Sequence, residues 1–332
     1  MKRFLPLLLL FALILNGCGK PGKPAAQVAT ADIASQVPAA TPGPKYGGVA
    51  RALIRDFANI GPRVAGSTAE AQAAQYVSDV FKAIGYTPET QPFTADYQGK
   101  SISSANVMAV KKGASAQEII VGTHYDSTDA GPGADEASGV AAMLEIAQML
   151  AGQTPRYTIR FIAFGAEDSG LMGSYAYLNE MSQEEFENMI AMIDLNDLIA
   201  GDVAYVYGDE GQTSLVRDWA VEWANGNGLD LQTIRDVDLT DPKTGMGRSN
   251  YAAFRDVGIP YAYFQSTNWG LGSKNGLMQV AQNYGDKGVI SGTKYDTLDY
   301  LDKTFPGRAD QHLNLFISVV YNLLLQFEVP IS

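Results

Sequence analysis

One cysteine and two histidines in 332 residues narrow the chemistry at once. Cys18 has no partner in the chain, so an internal disulfide is excluded. No His-Glu-x-x-His occurs, which removes the commonest helix-borne zinc protease motif. A Gly-x-Ser-x-Gly nucleophile elbow is also missing, which argues against a serine hydrolase. Positive charge is in the minority: 24 Lys and Arg face 36 Asp and Glu, for a formal net charge of -12. That balance argues against nucleic acid or an anionic lipid surface as partner. The apolar stretch Phe4 to Leu15 is about half the roughly 20 residues a bilayer-spanning helix needs. With no internal repeat and no second linker, one folded domain is the economical organisation.

What is present begins with Met1-Lys2-Arg3, the apolar stretch and then Asn16-Gly17-Cys18. A basic start, a short apolar run and a small residue before a cleavage point predict a signal peptide over residues 1–17. Asn16-Gly17-Cys18 resembles a bacterial lipobox, and acylation would account for the unpaired Cys18. Residues 18–44, rich in Ala, Pro, Gly, Thr and Gln without apolar periodicity, read as a flexible tether. Residues 45–330 are then the folded domain of an exported protein, lipid-anchored in the bacterial cell envelope.

Within that domain, Val77, Val80, Phe81 and Ile84 recur at helical spacing, with Gly85 as a C-cap. Apolar runs at Ile119 to Thr123, Tyr157 to Gly165 and Met189 to Ile193 read as strands. The first two are separated by a helix bearing Val140, Met143, Leu144 and Ala147, with Ser138 as its N-cap. Further pieces are a helix over Ser214 to Asn225, a strand over Gly258 to Gln265 and a closing helix over Ala309 to Phe327. The alternation predicts an α/β fold with a central mixed, mostly parallel sheet and helices on both faces. Ligands on such sheets bind beyond the carboxyl ends of the strands.

The polar clusters fall at those ends: His124-Tyr125-Asp126-Ser127 followed by Asp135-Glu136, then Glu167-Asp168, then Asp194-Leu195-Asn196-Asp197. Imidazole and carboxylates are donors that zinc accepts. Together with Gly61-Pro62-Arg63-Val64-Ala65-Gly66-Ser67, Gly247-Arg248-Ser249 and Tyr295-Asp296-Thr297-Leu298-Asp299, they resemble the co-catalytic zinc exopeptidases. That family includes bacterial leucyl aminopeptidases, glutamate carboxypeptidase and glutaminyl cyclase. The resemblance implies a phosphorylase/hydrolase-like fold, zinc as cofactor and a peptide as substrate. It makes His124 a zinc ligand, Asp135 the bridging carboxylate and Asp126 the group orienting His124. Glu167 becomes the general base and Asp168 a ligand of the other zinc. The remaining acidic ligand is Asp197 if one residue is inserted, or Asn196, with Asp194 two before it, if none is.

Two departures weaken the second metal. Where the family has its last histidine ligand, this chain has Gly292, and Ser249-Asn250-Tyr251 replaces a block that usually carries another histidine. His312 lies among apolar residues of the closing helix and reads as structural. One firmly bound zinc and a weak or vacant second follow. A metallopeptidase of aminopeptidase type is the leading expectation; a catalytically silent peptide-binding lipoprotein and a cyclase-like zinc transferase remain open.

Overall fold

The computed structural model describes residues 46–235 and 249–329. Cys18, the signal peptide, the tether and Gly247-Arg248 lie outside the described residues. An eight-stranded mixed sheet runs through the domain in the order β1-β2-β4-β3-β5-β8-β6-β7. Its strands are β1 (Glu89–Tyr97), β2 (Lys100–Lys111), β3 (Ser115–His124), β4 (Tyr157–Phe164), β5 (Met189–Leu195), β6 (Val203–Tyr207), β7 (Leu231–Gln232) and β8 (Tyr261–Thr267). The centre is parallel, β4 beside β3, β3 beside β5 and β5 beside β8, while the β1-β2 hairpin and β6 join antiparallel. The mixed α/β architecture expected from the sequence is thus present.

Alternation within the central strands explains why both faces are covered. Ile119 and Val121 point to one layer and Ile120 to the other; Phe161 and Ala163 oppose Ile162 and Phe164 in the same way. On the first face lie α1 (Gly48–Ile60), α2 (Thr68–Ala83), α3 (Ser138–Leu150), α6 (Leu215–Gly226) and α9 (Arg308–Gln326). On the second lie α4 (Met172–Glu180) and α7 (Tyr251–Asp256), meeting Phe164, Tyr177, Phe254 and Tyr263. The short α5 (Gln183–Asn188) and α8 (Leu298–Thr304) complete the chain path. Among the described residues no helix is long and apolar enough to cross a membrane.

One expectation fails locally. Ser138 is the first residue of α3, not its cap; Ala137 is the cap and makes no side-chain capping bond. The Ser138 hydroxyl instead donates to the Asp135 carbonyl and accepts the Leu198 N–H at 2.7 Å. The helix start is thereby tied to the loop after β5, one wall of the site.

Candidate active site

The carboxyl ends of β3, β4, β5 and β8 converge on a cavity of about 300 Å³. Its walls include His124, Glu136, Glu167, Asp168, Asn196 and Asp197. An adjoining cavity of about 440 Å³ shares Glu167, Asp168, Asn196 and Asp197 and adds Tyr97, Tyr175 and Tyr263. Most of the residues singled out at the strand ends therefore surround one place.

His124 closes β3 and is 3% exposed. Its Nδ1 lies 3.5 Å from Asp126 Oδ1, and its Nε2 lies 2.9 Å from Asn196 Oδ1. Burial opposes a charge on the ring, but Asp126 and Glu167 outweigh it and raise its pKa well above the usual histidine range. Asp126 is fully buried and also accepts the Asp168 N–H, at 3.1 Å. It sits against His124 and fastens the turn that carries the acidic pair.

In that pair, Glu167 is buried and Asp168 stands exposed at the mouth. Burial raises the Glu167 pKa well above the ordinary carboxylate range; His124 pulls the other way and Asp168 adds to the rise. Such a carboxylate binds a proton more readily than a solvated one does, which is what a general base is asked to do.

Asn196 and Asp197 part company. Asn196 faces His124 and donates to Ser249 Oγ, whereas Asp197 adopts φ 49° and accepts from Ser291 Oγ at 2.7 Å. Asp194 is fully buried and accepts the Tyr251 N–H, at the start of α7.

Asp135 is held by three donors. Oδ1 accepts from the N–H groups of Ile199 and Ala200 at 2.7 and 3.0 Å, and Oδ2 accepts from Gln279 Nε2 at 2.8 Å. Gln279 Oε1 in turn takes the N–H groups of Ile290 and Ser291. Asp135 thus fastens the loop after β5 to the segment leading to Gly292. The next residue, Glu136, faces the cavity instead.

Several residues of the site carried no assigned role in the sequence. Arg63, fully buried, directs its guanidinium to the carbonyls of Tyr125, Pro132 and Gly133 and so shapes the loop between His124 and Asp135. Asp296 accepts the N–H groups of Asp135 and Gly292. Arg63 and Asp296 sit inside blocks that the resemblance had already marked, which was a usable signal. Gln279 and Ser291 had none, because their partners are far away in the chain.

A buried histidine backed by a carboxylate, an adjacent acidic pair and an open cavity at the carboxyl edge of a mixed sheet together define a hydrolase-type site on an α/β scaffold. The chain belongs to Peptidase family M28, which residues 106–316 match. Over 307 residues it is 30% identical to the alkaline phosphatase isozyme conversion protein of Escherichia coli (strain K12), covering 83% of this chain and 89% of that one. It is 30% identical over 252 residues to the "Probable lipoprotein aminopeptidase LpqL" of Mycobacterium tuberculosis, covering 70% of this chain and 49% of that protein. Among solved structures, BSAP, a zinc aminopeptidase from Bacillus subtilis, superposes with a TM-score of 0.68 at 18% identity, over 85% of this chain and 96% of that chain. That likeness is one of fold.

The family implies zinc, and the residues can be tested against it. Zinc needs nitrogen, oxygen or sulfur donors about 2.0–2.3 Å from one point. Among the described residues no three His, Cys, Asp or Glu side chains are placed to hold a metal ion. Oδ1 of Asp135 already accepts two N–H groups while Oδ2 accepts one, and Gly292 offers no side chain. The site as built does not fit a bridged zinc pair.

Proposed function

We propose that this chain is an aminopeptidase-like exopeptidase acting on peptides outside the cytoplasmic membrane, from a lipid anchor at Cys18. The observation that carries the reading is Glu167, a buried carboxyl group at the end of β4, in a cavity it shares with His124 and Asp168. Glu167 takes a proton from the attacking water and returns it to the leaving amine. His124 is held for its part by Asp126 and Asn196. The acidic walls favour a peptide's amino-terminal ammonium, and the tyrosine-lined cavity alongside gives the first side chain a place. Family membership and aminopeptidase relatives support the activity; the relative described as a lipoprotein supports the anchor. For zinc, the resemblance makes His124 the firm ligand, but among the described residues no two further His, Cys, Asp or Glu side chains join it in a metal-holding cluster.

One observation favours a second reading, a catalytically silent peptide-binding lipoprotein. The three donors on Asp135 satisfy a carboxylate that the family resemblance assigns to metal. Release of the amino-terminal residue from a peptide library, followed for wild type and Glu167→Gln, separates the two. The amide keeps size and polarity but accepts no proton, so turnover should fall by about 10²-fold or more. A wild type that retains peptides without cleaving them would establish the silent reading.

A further inference from the structure

A cleft of about 740 Å³ lies between α2 and the β1-β2 hairpin, and it shares no lining residue with the two cavities at the strand ends. Its floor is one face of the hairpin, where Thr90 stands opposite Val107, Pro92 opposite Ala105 and Thr94 opposite Ser103. Its wall is the face of α2 that carries Ala71, Ala74 and Ser78 at helical spacing. Side chains that small leave the space between helix and hairpin unfilled, and Thr90, Pro92 and Thr94 stay exposed on the edge strand. Small residues alone make a gap; Ser78 adds a buried polar group to it. Ser78 is 8% exposed and lines the cleft, and its hydroxyl bonds to no described residue. A serine inside a helix commonly turns its hydroxyl back to the carbonyl four residues earlier, as Ser318 does to Asn314. Ser78 forgoes that bond, and a hydroxyl so placed gains from a partner that enters the cleft.

The lining restricts what that partner can be. Its ionisable side chains are Glu70 and Tyr125, and both are engaged: Glu70 accepts from Ser104, Ala166 and Gly66, and Tyr125 donates to the Ala105 carbonyl. No Lys, Arg or His among the lining residues meets an anion, and the one carboxyl group is spent on its donors. The backbone groups of the hairpin bond sideways, within the sheet, so an extended peptide finds no ladder on this face. What the cleft offers is hydroxyl groups, those of Ser78, Thr68 and Thr90, beside the apolar surface of Pro92, Ala105 and Val107. A hydroxyl both donates and accepts, and a sugar matches it with hydroxyls of its own and a C–H face for the apolar side. We propose that the cleft between α2 and the β1-β2 hairpin is a second binding site, for an uncharged saccharide of one or two rings, with the Ser78 hydroxyl as its buried anchor. The volume lies in the range of small-molecule sites. The site holds no residue of the strand-end cavities, so its occupancy is independent of whether the chain cleaves peptides.

Amide resonances of the purified full chain, followed by NMR while sugar is added, test this directly. The probes are glucose, N-acetylglucosamine and maltose, with glucosamine and glucose 6-phosphate as charged comparators. Ser78→Ala removes the hydroxyl and keeps a good helix former, while Ala71→Phe, at an exposed position of the wall, fills the cleft. The expected result is that at least one uncharged sugar shifts resonances of α2 and the hairpin in wild type. Ser78→Ala should weaken that sugar at least fivefold, and Ala71→Phe should abolish its binding, both at a melting temperature close to that of wild type. Should Ser78→Ala fail to fold, Ala71→Phe carries the comparison by itself. The proposal is overturned if none of the three uncharged sugars shifts these resonances, or if the shifts fall only around the strand-end cavities. Unchanged affinity in either folded variant overturns it as well, as does a charged comparator that binds as tightly as the best uncharged sugar.

Discussion

At Gly292 the backbone turns with φ 66°, and a Cβ there would approach Thr128 Cγ2 to 3.2 Å. By resemblance the position is a lost histidine ligand, but the backbone gives it a second reason to be glycine. A side chain in the left-handed region costs roughly 1–2 kcal/mol. Gly292→His should therefore lower stability by about that amount in chemical denaturation, with no gain in zinc per chain by elemental analysis. A variant as stable as wild type that carries more zinc would show the loop able to host a ligand. Asp197 lies in the same backbone region at φ 49°, which Asp tolerates better than most residues. That turn sends Asn196 toward His124 and Asp197 toward Ser291. Adjacent residues at a tight turn point apart, so the sequence could not say which of the two lies against His124, although both line the cavity. The same ambiguity hid Glu136 behind Asp135.

Among the elements, the turn after β4 depends on a helix it does not touch in sequence. Glu70, in the first turn of α2, accepts the Ser104 hydroxyl and the Ala166 N–H through Oε1, and the Gly66 N–H through Oε2. Ala166 has φ 53° and immediately precedes Glu167. Glu70 thus holds the backbone that presents the proposed base. Burial raises its pKa to about 7, while the hydrogen bonds from Ser104 and Gly66 work in the opposite direction. Glu70→Ala leaves these donors without their acceptor, and one unsatisfied buried group costs about 1–3 kcal/mol. A loss of that size in unfolding free energy, with faster amide exchange at Ala166 than in wild type, is the expected outcome. Unchanged exchange there would mean that β4 and α4 hold the turn without help.

For the molecule as a whole, the sheet was legible because β3, β4 and β5 carry apolar runs that end where the polar blocks begin. The strand-end placement of His124, Glu167 and Asn196 followed from that order alone. What the sequence could not disclose were ties between distant segments, such as Gln279 to Asp135 across 144 positions. The closing helix α9 makes another set of such ties. Arg308 donates to the Ala200 carbonyl and pairs with Asp202, and His312 Nδ1 lies 3.2 Å from the Leu198 carbonyl. The last helix therefore braces the loop that begins at Asn196, and His312 is structural as its apolar neighbours suggested. Burial, aided by the charge of Arg308, lowers the His312 pKa to about 4 from an ordinary 6.5. Between those two values the unfolded chain binds a proton that the folded chain refuses, so acid favours unfolding. The contribution of His312 to stability is fully present above pH 6.5 and falls by up to about 1.4 kcal/mol for each unit toward pH 4. His312→Gln keeps a donor for Leu198 but cannot take up the proton. Other groups titrate in the same range, so the informative quantity is the difference in unfolding free energy between wild type and variant across that interval. It should move in the variant's favour as pH falls; a constant difference would show that His312 keeps the same pKa folded and unfolded.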